Sequence, residues 1–175
     1  MAAGFTILPV KVRQMRPQEL DAAVSVWREA NIARGAPHGP ERTARIGAKL
    51  SASDALALVA LRPDIVGMAL AEPGRFGDGT GEPDPSLLHI SMVFVRPAEQ
   101  GTGVGLPLVL HLLDTARSLD YRRVGVWTAR ENAPARKLYE RAGMIPSARS
   151  APLRSGTRLH YECFLSGENG AAQLR

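Results

Sequence analysis

The run LLHISMVFV, Leu87 to Val95, is followed closely by QGTGVG, Gln100 to Gly105, and then by LPLVLHLLDTARSL. A long, largely apolar run ending at Pro97 reads as a buried strand, and the leucine-rich segment after the glycines reads as a helix. Glycines at 101, 103 and 105 let the backbone come close to a ligand. The helix behind them turns its unpaired amides and positive dipole end toward the same point, so an anion is expected there. Pro107 agrees with a helix starting near Gly103, because a proline in the first turn forfeits no intrahelical amide bond. The alternative is a strand-to-helix turn that binds nothing, which by itself explains one or two glycines.

With 175 residues, 45% of them apolar, the chain has the size of one domain with one substantial core. The expected core spans residues 6 to about 165, with a disordered tail over 166–175. No stretch approaches the roughly 20 apolar residues of a membrane helix, and the N-terminus lacks a charged flank followed by a long apolar run. A soluble, cytoplasmic protein with no membrane partner is expected. The sole cysteine, Cys163, excludes an intramolecular disulfide and a cysteine-based metal site, and reads as a structural thiol.

The net charge of +5 comes from arginines scattered along the chain, with Arg122 and Arg123 the only adjacent pair. That balance suits a polyanionic small molecule. Nucleic-acid modules concentrate basic residues in a run or stripe with interleaved aromatics, and aromatics are only 5% here. The histidines form no His-x-x-x-His pair and the acids no calcium-loop spacing, so no metal is expected. His38 and His160 have no recognisable partner spacing, and His111 is spaced from Leu108 and Leu112 as on a helix surface or edge.

Elsewhere, residues 10–15 alternate as a first strand, and a helix follows from about Pro17 to Asn31 with an apolar stripe of Leu20, Val24 and Trp27. Trp27 fits core packing better than an acceptor pocket. After the breaker RGAPHGP, ERTARIGAKLS resumes helical spacing. DALALVALRP and DIVGMALAEP read as a hairpin turning at Arg62 to Asp64, with helix as the alternative because both are rich in leucine and alanine. Residues 73–86, dense in glycine, proline and acids, read as an exposed loop with Glu82 and Asp84 solvated or drawing in a cationic amine. A strand at 123–128, a helix from about Pro134 to Ala142 and a last strand near LHYECFL complete the pattern. The fold class is therefore α/β, a twisted mixed sheet of six or seven strands with about four helices in one layered domain.

The glycine loop has neither the lysine of the nucleoside-triphosphate loop nor the Gly-x-Gly-x-x-Gly spacing of dinucleotide folds. Its pattern is Gln-x-x-Gly-x-Gly. VFVRPAEQGTGVGLPLVLHLL resembles the acetyl-coenzyme A motif of the GCN5-related N-acetyltransferase (GNAT) family, and NAPARKLYERAGM resembles that family's second motif, in the same order. The resemblance implies the family's acyl-CoA N-acyltransferase fold, with a largely antiparallel sheet and acetyl-CoA as co-substrate. It implies that the backbone of Val93, Phe94 and Val95 pairs with the pantetheine arm. The stretch Gln100, Gly101, Thr102, Gly103, Val104, Gly105 and Leu106 would hold the pyrophosphate through its amides.

The same resemblance gives Asn132 a contact to the pantetheine arm and Tyr139 the role of the acid that protonates the departing thiolate. The alternatives are a helix N-cap for Asn132 and a core position for Tyr139, which shares a helix face with Ala135, Leu138 and Ala142. In similar histone-type and arylalkylamine-type acetyltransferases, the strand position of His89 carries a catalytic glutamate or histidine. His89 is accordingly the candidate base, with Ser91 positioning a water beside it; strand alternation puts both on one face with Val93 and Val95. A histidine satisfied inside a buried strand is the other reading of His89, and Glu72 is the alternative base.

The activity expected is direct acetyl transfer to a primary amine of a small molecule or a peptide, with no acyl-enzyme on Cys163. A non-catalytic acyl-CoA-binding sensor or scaffold of the same fold is the second reading. Homodimers are common among similar proteins.

Overall fold

The computed structural model describes residues 9–154 and 156–165; the expectations for residues 6–8 and for the tail over 166–175 lie outside it. In chain order the elements are strand β1 (Lys11–Gln14), helices α1 (Leu20–Ala33) and α2 (Pro40–Leu50), and strands β2 (Leu56–Leu61) and β3 (Ile65–Arg75). A single helical turn, α3 (Phe76–Gly79), leads to strand β4 (Pro83–Val95) and helix α4 (Gly105–Ser118). Strand β5 (Arg123–Ala129), helix α5 (Ala133–Arg141) and strands β6 (Ile145–Leu153) and β7 (Gly156–Phe164) follow.

The strands form one sheet in the order β1-β2-β3-β4-β5-β7-β6. Every neighbouring pair is antiparallel except β4 and β5. Apolar alternation on β3 divides the core in two. Ala69 and Ala71 face the cluster built by Leu108, Leu112 and Tyr139 of α4 and α5, whereas Met68 and Leu70 face Ala23, Val26 and Leu50 of α1 and α2. Trp27 is buried and stacks on His38 at 5.2 Å, so it packs as core.

Two expectations change. Residues 73–86 are not one exposed loop: Pro73, Gly74 and Arg75 complete β3, and Pro83 to Ser86 begin β4. A Cβ on Gly74 would lie 2.3 Å from the Leu87 side chain, so this glycine marks close packing rather than a turn. Asp84 is buried, not solvated; it accepts from Ser86 at 2.6 Å and pairs with Arg123 at 2.5 Å. The second change is β6, an edge strand unread in the sequence because its prolines and exposed polar residues hide the period.

Candidate active site

Strands β4 and β5 pair only from Leu87↔Arg123 to Ile90↔Val126. Past that point β4 stays with β3 as far as Val95, while β5 runs with β7 to Ala129. The two central strands therefore fork, and the β4 edge from Ser91 onward faces no strand among the described residues. A bulge adds to the fork, because the β3–β4 register slips between Leu70↔Met92 and Ala71↔Ile90, leaving Ser91 as the extra residue.

The bulge corrects the expected alternation. Leu88, Ile90, Val93 and Val95 all pack on the α4 side, whereas Met92 and Phe94 pack on the α1 side. His89 and Ser91 keep a common face, since both line one cavity, but Val93 and Val95 point the other way. The sequence could not show this, because the slip depends on pairing with β3.

The glycine loop lies beyond the open end of the fork. Gly101 and Gly103 have φ of 78° and 89°, in the left-handed region that glycine occupies without strain. Helix α4 begins at Gly105, two residues later than expected, with Val104 at its N-cap and no side chain capping it. The amides of Gly101, Gly103 and Val104 find no backbone carbonyl among the described residues. The loop is held from outside. Arg62 donates to Thr102 Oγ1 at 2.8 Å and pairs with Glu99 at 3.1 Å, and Gln100 Nε2 donates to the Val95 carbonyl at 3.2 Å. Uncapped amides on a braced loop suit a phosphate anion.

On the α2 side of the fork a cavity of about 320 Å³ gathers Glu72, His89 and Ser91. Glu72 and His89 are cross-strand partners. Ser91 Oγ donates to Glu72, and Lys49 Nζ from α2 donates to both carboxylate oxygens at 2.8 and 3.1 Å. Burial alone would raise the Glu72 carboxyl, but the bonds from Lys49 and Ser91 and the Lys49 charge outweigh it and hold the group below its usual range. Burial pushes the His89 imidazole below its ordinary value; Glu72 opposes this, and the charges of Lys49 and Arg158 add to it. His89 is therefore neutral, with a lone pair available, at neutral pH. Ser91 holds Glu72 directly.

Tyr139 does not meet this group. It sits on α5, buried in the α4-side cluster beside Tyr161, ring centroids 6.1 Å apart. Burial pushes its phenol up to about 12, so it remains protonated. Asn132 is the N-cap of α5, its Oδ1 accepting from the Ala135 amide at 3.2 Å, as the capping alternative foresaw. Cys163 is half-buried on β7, and burial raises its thiol, which keeps it in the unreactive form.

The far wall of the cavity holds residues that sequence reasoning missed. Trp127 of β5 and His160 of β7 are cross-strand partners with rings 4.8 Å apart, and Ser147 bonds His160 Nδ1 at 2.9 Å. The Arg158 and Arg149 guanidinium carbons lie 4.8 and 5.3 Å from the Trp127 ring centroid. Lys49 had no signal either, being 23 residues from Glu72 with no spacing that links them.

Comparison with known proteins agrees with this geometry. The acetyltransferase (GNAT) family model matches residues 22–144. A mycothiol acetyltransferase of Beutenbergia cavernae is 39% identical over 66 residues, 38% of this chain, and the match spans only 22% of that relative's length. Among solved structures, yncA of Salmonella typhimurium with its cofactor acetyl-CoA superposes with a TM-score of 0.70 at 20% identity, covering 94% of this chain and 99% of that one. The ribosomal-protein-S18-alanine N-acetyltransferase of Escherichia coli does so at 0.70 and 17%, covering 92% and 98%. At such identities the likeness speaks for the fold, and the family match speaks for the chemistry. The chain belongs to the GNAT family of acetyltransferases, whose co-substrate is acetyl-coenzyme A.

Proposed function

We propose that the protein moves the acetyl group of acetyl-CoA directly to a primary amine, with His89 as base and Tyr139 as acid. The observation that carries this is the β4–β5 fork, with uncapped amides at one end and the Glu72–His89–Ser91 group at its mouth. Acetyl-CoA supplies the acetyl as a thioester. The amides of Gly101 to Leu106 cradle the pyrophosphate, and the unpaired edge at Val93 to Val95 aligns the pantetheine arm. An amide of that edge polarises the carbonyl.

An ammonium has no lone pair, so one proton must leave before the nitrogen attacks. Neutral His89 accepts it, and the Glu72 carboxylate across the strand pair stabilises the imidazolium that forms. A C–N bond forms as the C–S bond breaks. The Tyr139 phenol, still protonated, gives its proton to the sulfur and recovers one from the nitrogen, for a net release of one proton per turnover. Asn132, acting as cap, orients the first turn of the helix that carries Tyr139.

A cavity of about 320 Å³, walled by side chains, favours a small-molecule amine over a peptide N-terminus. Thiol release from acetyl-CoA across a panel of amines and peptide N-termini tests the reading, with wild type beside Tyr139→Phe and His89→Ala. Turnover by wild type that both variants cripple is expected. Tight acetyl-CoA binding without turnover on any acceptor would establish a sensor instead.

A further inference from the structure

The lining of the acceptor-side cavity is unbalanced. Among the described residues, Lys49, Arg75, Arg149 and Arg158 bring cations to the lining, against the carboxylate of Glu72. Lys49 already satisfies that carboxylate. Arg158 pairs with no acid among the described residues, and its Nε is buried without a hydrogen-bond partner. Stacking on Trp127 compensates part of the guanidinium's lost hydration but gives its N–H groups nothing to donate to. A guanidinium over an indole ring at the wall of a cavity keeps its terminal N–H groups for an anion, and a carboxylate or phosphonate can take them with two parallel bonds.

The cavity therefore has two chemically distinct ends. Glu72 and the proton acceptor His89 stand on β3 and β4, which suits an amine. Trp127 and Arg158 stand on β5 and β7, which suits an anion. Its volume, about 320 Å³, lies at the low end of the roughly 300–1,000 Å³ of small-molecule pockets. That is room for a molecule of amino-acid size rather than a polypeptide.

We infer that the acceptor is a small amino acid or aminophosphonate, its amine directed to His89 and its anionic group received by Arg158. The inference rests on the transferase reading above and deepens it by naming the acceptor class. Arg158 is a specificity-determining residue in it, and a Trp127–Arg158 stack that merely stiffens the wall is the competing account.

Steady-state thiol release at saturating acetyl-CoA separates the two, with amino acids and aminophosphonates run beside their α-amides, their decarboxylated amines and short peptides. The enzymes compared are wild type, Arg158→Gln and Arg158→Lys, each first shown to melt cooperatively. Wild type is expected to prefer at least one acid over its amide by about 10- to 100-fold in kcat/KM, mainly through KM, the size of a charge-assisted hydrogen bond. In Arg158→Gln that preference collapses toward one, and Arg158→Lys, which keeps the charge, retains a large part of it.

Equal use of acid and amide by wild type, a better peptide than any small acid, or an equal loss on both substrates in Arg158→Gln would each overturn the inference. Calorimetry with N-acetylated amino acids covers the case in which no amine is turned over. Binding to wild type that Arg158→Gln abolishes would keep the anion subsite and sink the transferase reading, whereas no binding to wild type would sink the subsite.

Discussion

The glycine loop and the cavity around Glu72 and His89 are built on opposite plans. The loop is contiguous, Gln100 to Leu106, and what it offers is backbone: amides aimed by left-handed glycines and by the start of α4. The cavity is assembled from side chains on α2, β3, β4, β5, β6 and β7, from Lys49 to His160. A site made of amides accepts many sequences so long as the path of the chain is kept. A site made of side chains changes its preference with each substitution, so one fold can keep its acetyl donor while acceptors vary.

The largest departure from this division is expected at Tyr139, a side chain on the loop's side of the sheet whose loss should strike chemistry rather than binding. Tyr139→Phe should lower kcat about 10²- to 10⁴-fold in a thiol-release assay. Its hydroxyl makes no hydrogen bond to a described residue, so the melting temperature should move by no more than about 2 °C. A melting temperature that falls with kcat would return Tyr139 to the core.

Gly103→Val tests the backbone plan. A Cβ at Gly103 would meet nothing within 4 Å, so the penalty comes from a β-branched residue at φ 89° alone. Such strain costs about 1–3 kcal/mol, and the KM for acetyl-CoA should rise about 5- to 100-fold, with selectivity among amines unchanged. A change in amine selectivity instead would mean that the two halves are not separate.

His89 supplies a test in pH. Its folded pKa is lowered, and the proposed role as base makes the neutral ring the active form, so kcat/KM should be full at neutral pH and fall as pH drops through a midpoint below the ordinary histidine value of about 6.5. His89→Gln should remove that limb and lower kcat/KM about 10²-fold. A limb below about pH 4.5 that survives His89→Gln would make Glu72 the base.

The smallest effect is expected at Lys49. Its ion pair with Glu72 is half-exposed on the lysine side, so Lys49→Met should change stability by less than about 1 kcal/mol in chemical denaturation. Removing a cation that lowers the His89 pKa should move the acidic limb upward, by less than about one pH unit. A downward shift would contradict the arrangement described here.

The unequal legibility of the two halves follows from their construction. Strand β4, the glycine loop and α4 could be read from Leu87 to Leu113 because each signal is local: apolar run, left-handed glycines, helical spacing. Strand β5 was equally plain, whereas the Leu and Ala richness of β2 and β3 left a helix open until their pairing decided for strands. Strand β6 escaped because an edge strand tolerates prolines and exposure that a central one does not. Gly74 and Asp84 were read as loop and solvent residues because composition cannot distinguish a glycine at a turn from one under Leu87, or a free acid from one paired with Arg123.

An anion site at the start of α4 was already written in the spacing of residues, since it depends on a short segment whose backbone conformation glycine, proline and apolar period dictate; the family and the acetyl donor came from the resemblance of the two motifs. Which face His89 shares, that Lys49 holds Glu72, and that Arg158 lies on Trp127 in the same cavity were decided only by tertiary structure. The physical reason is that register between strands, one bulge and the docking of a helix are set by packing over the whole sheet, and a one-residue slip at Ser91 reverses every side chain beyond it.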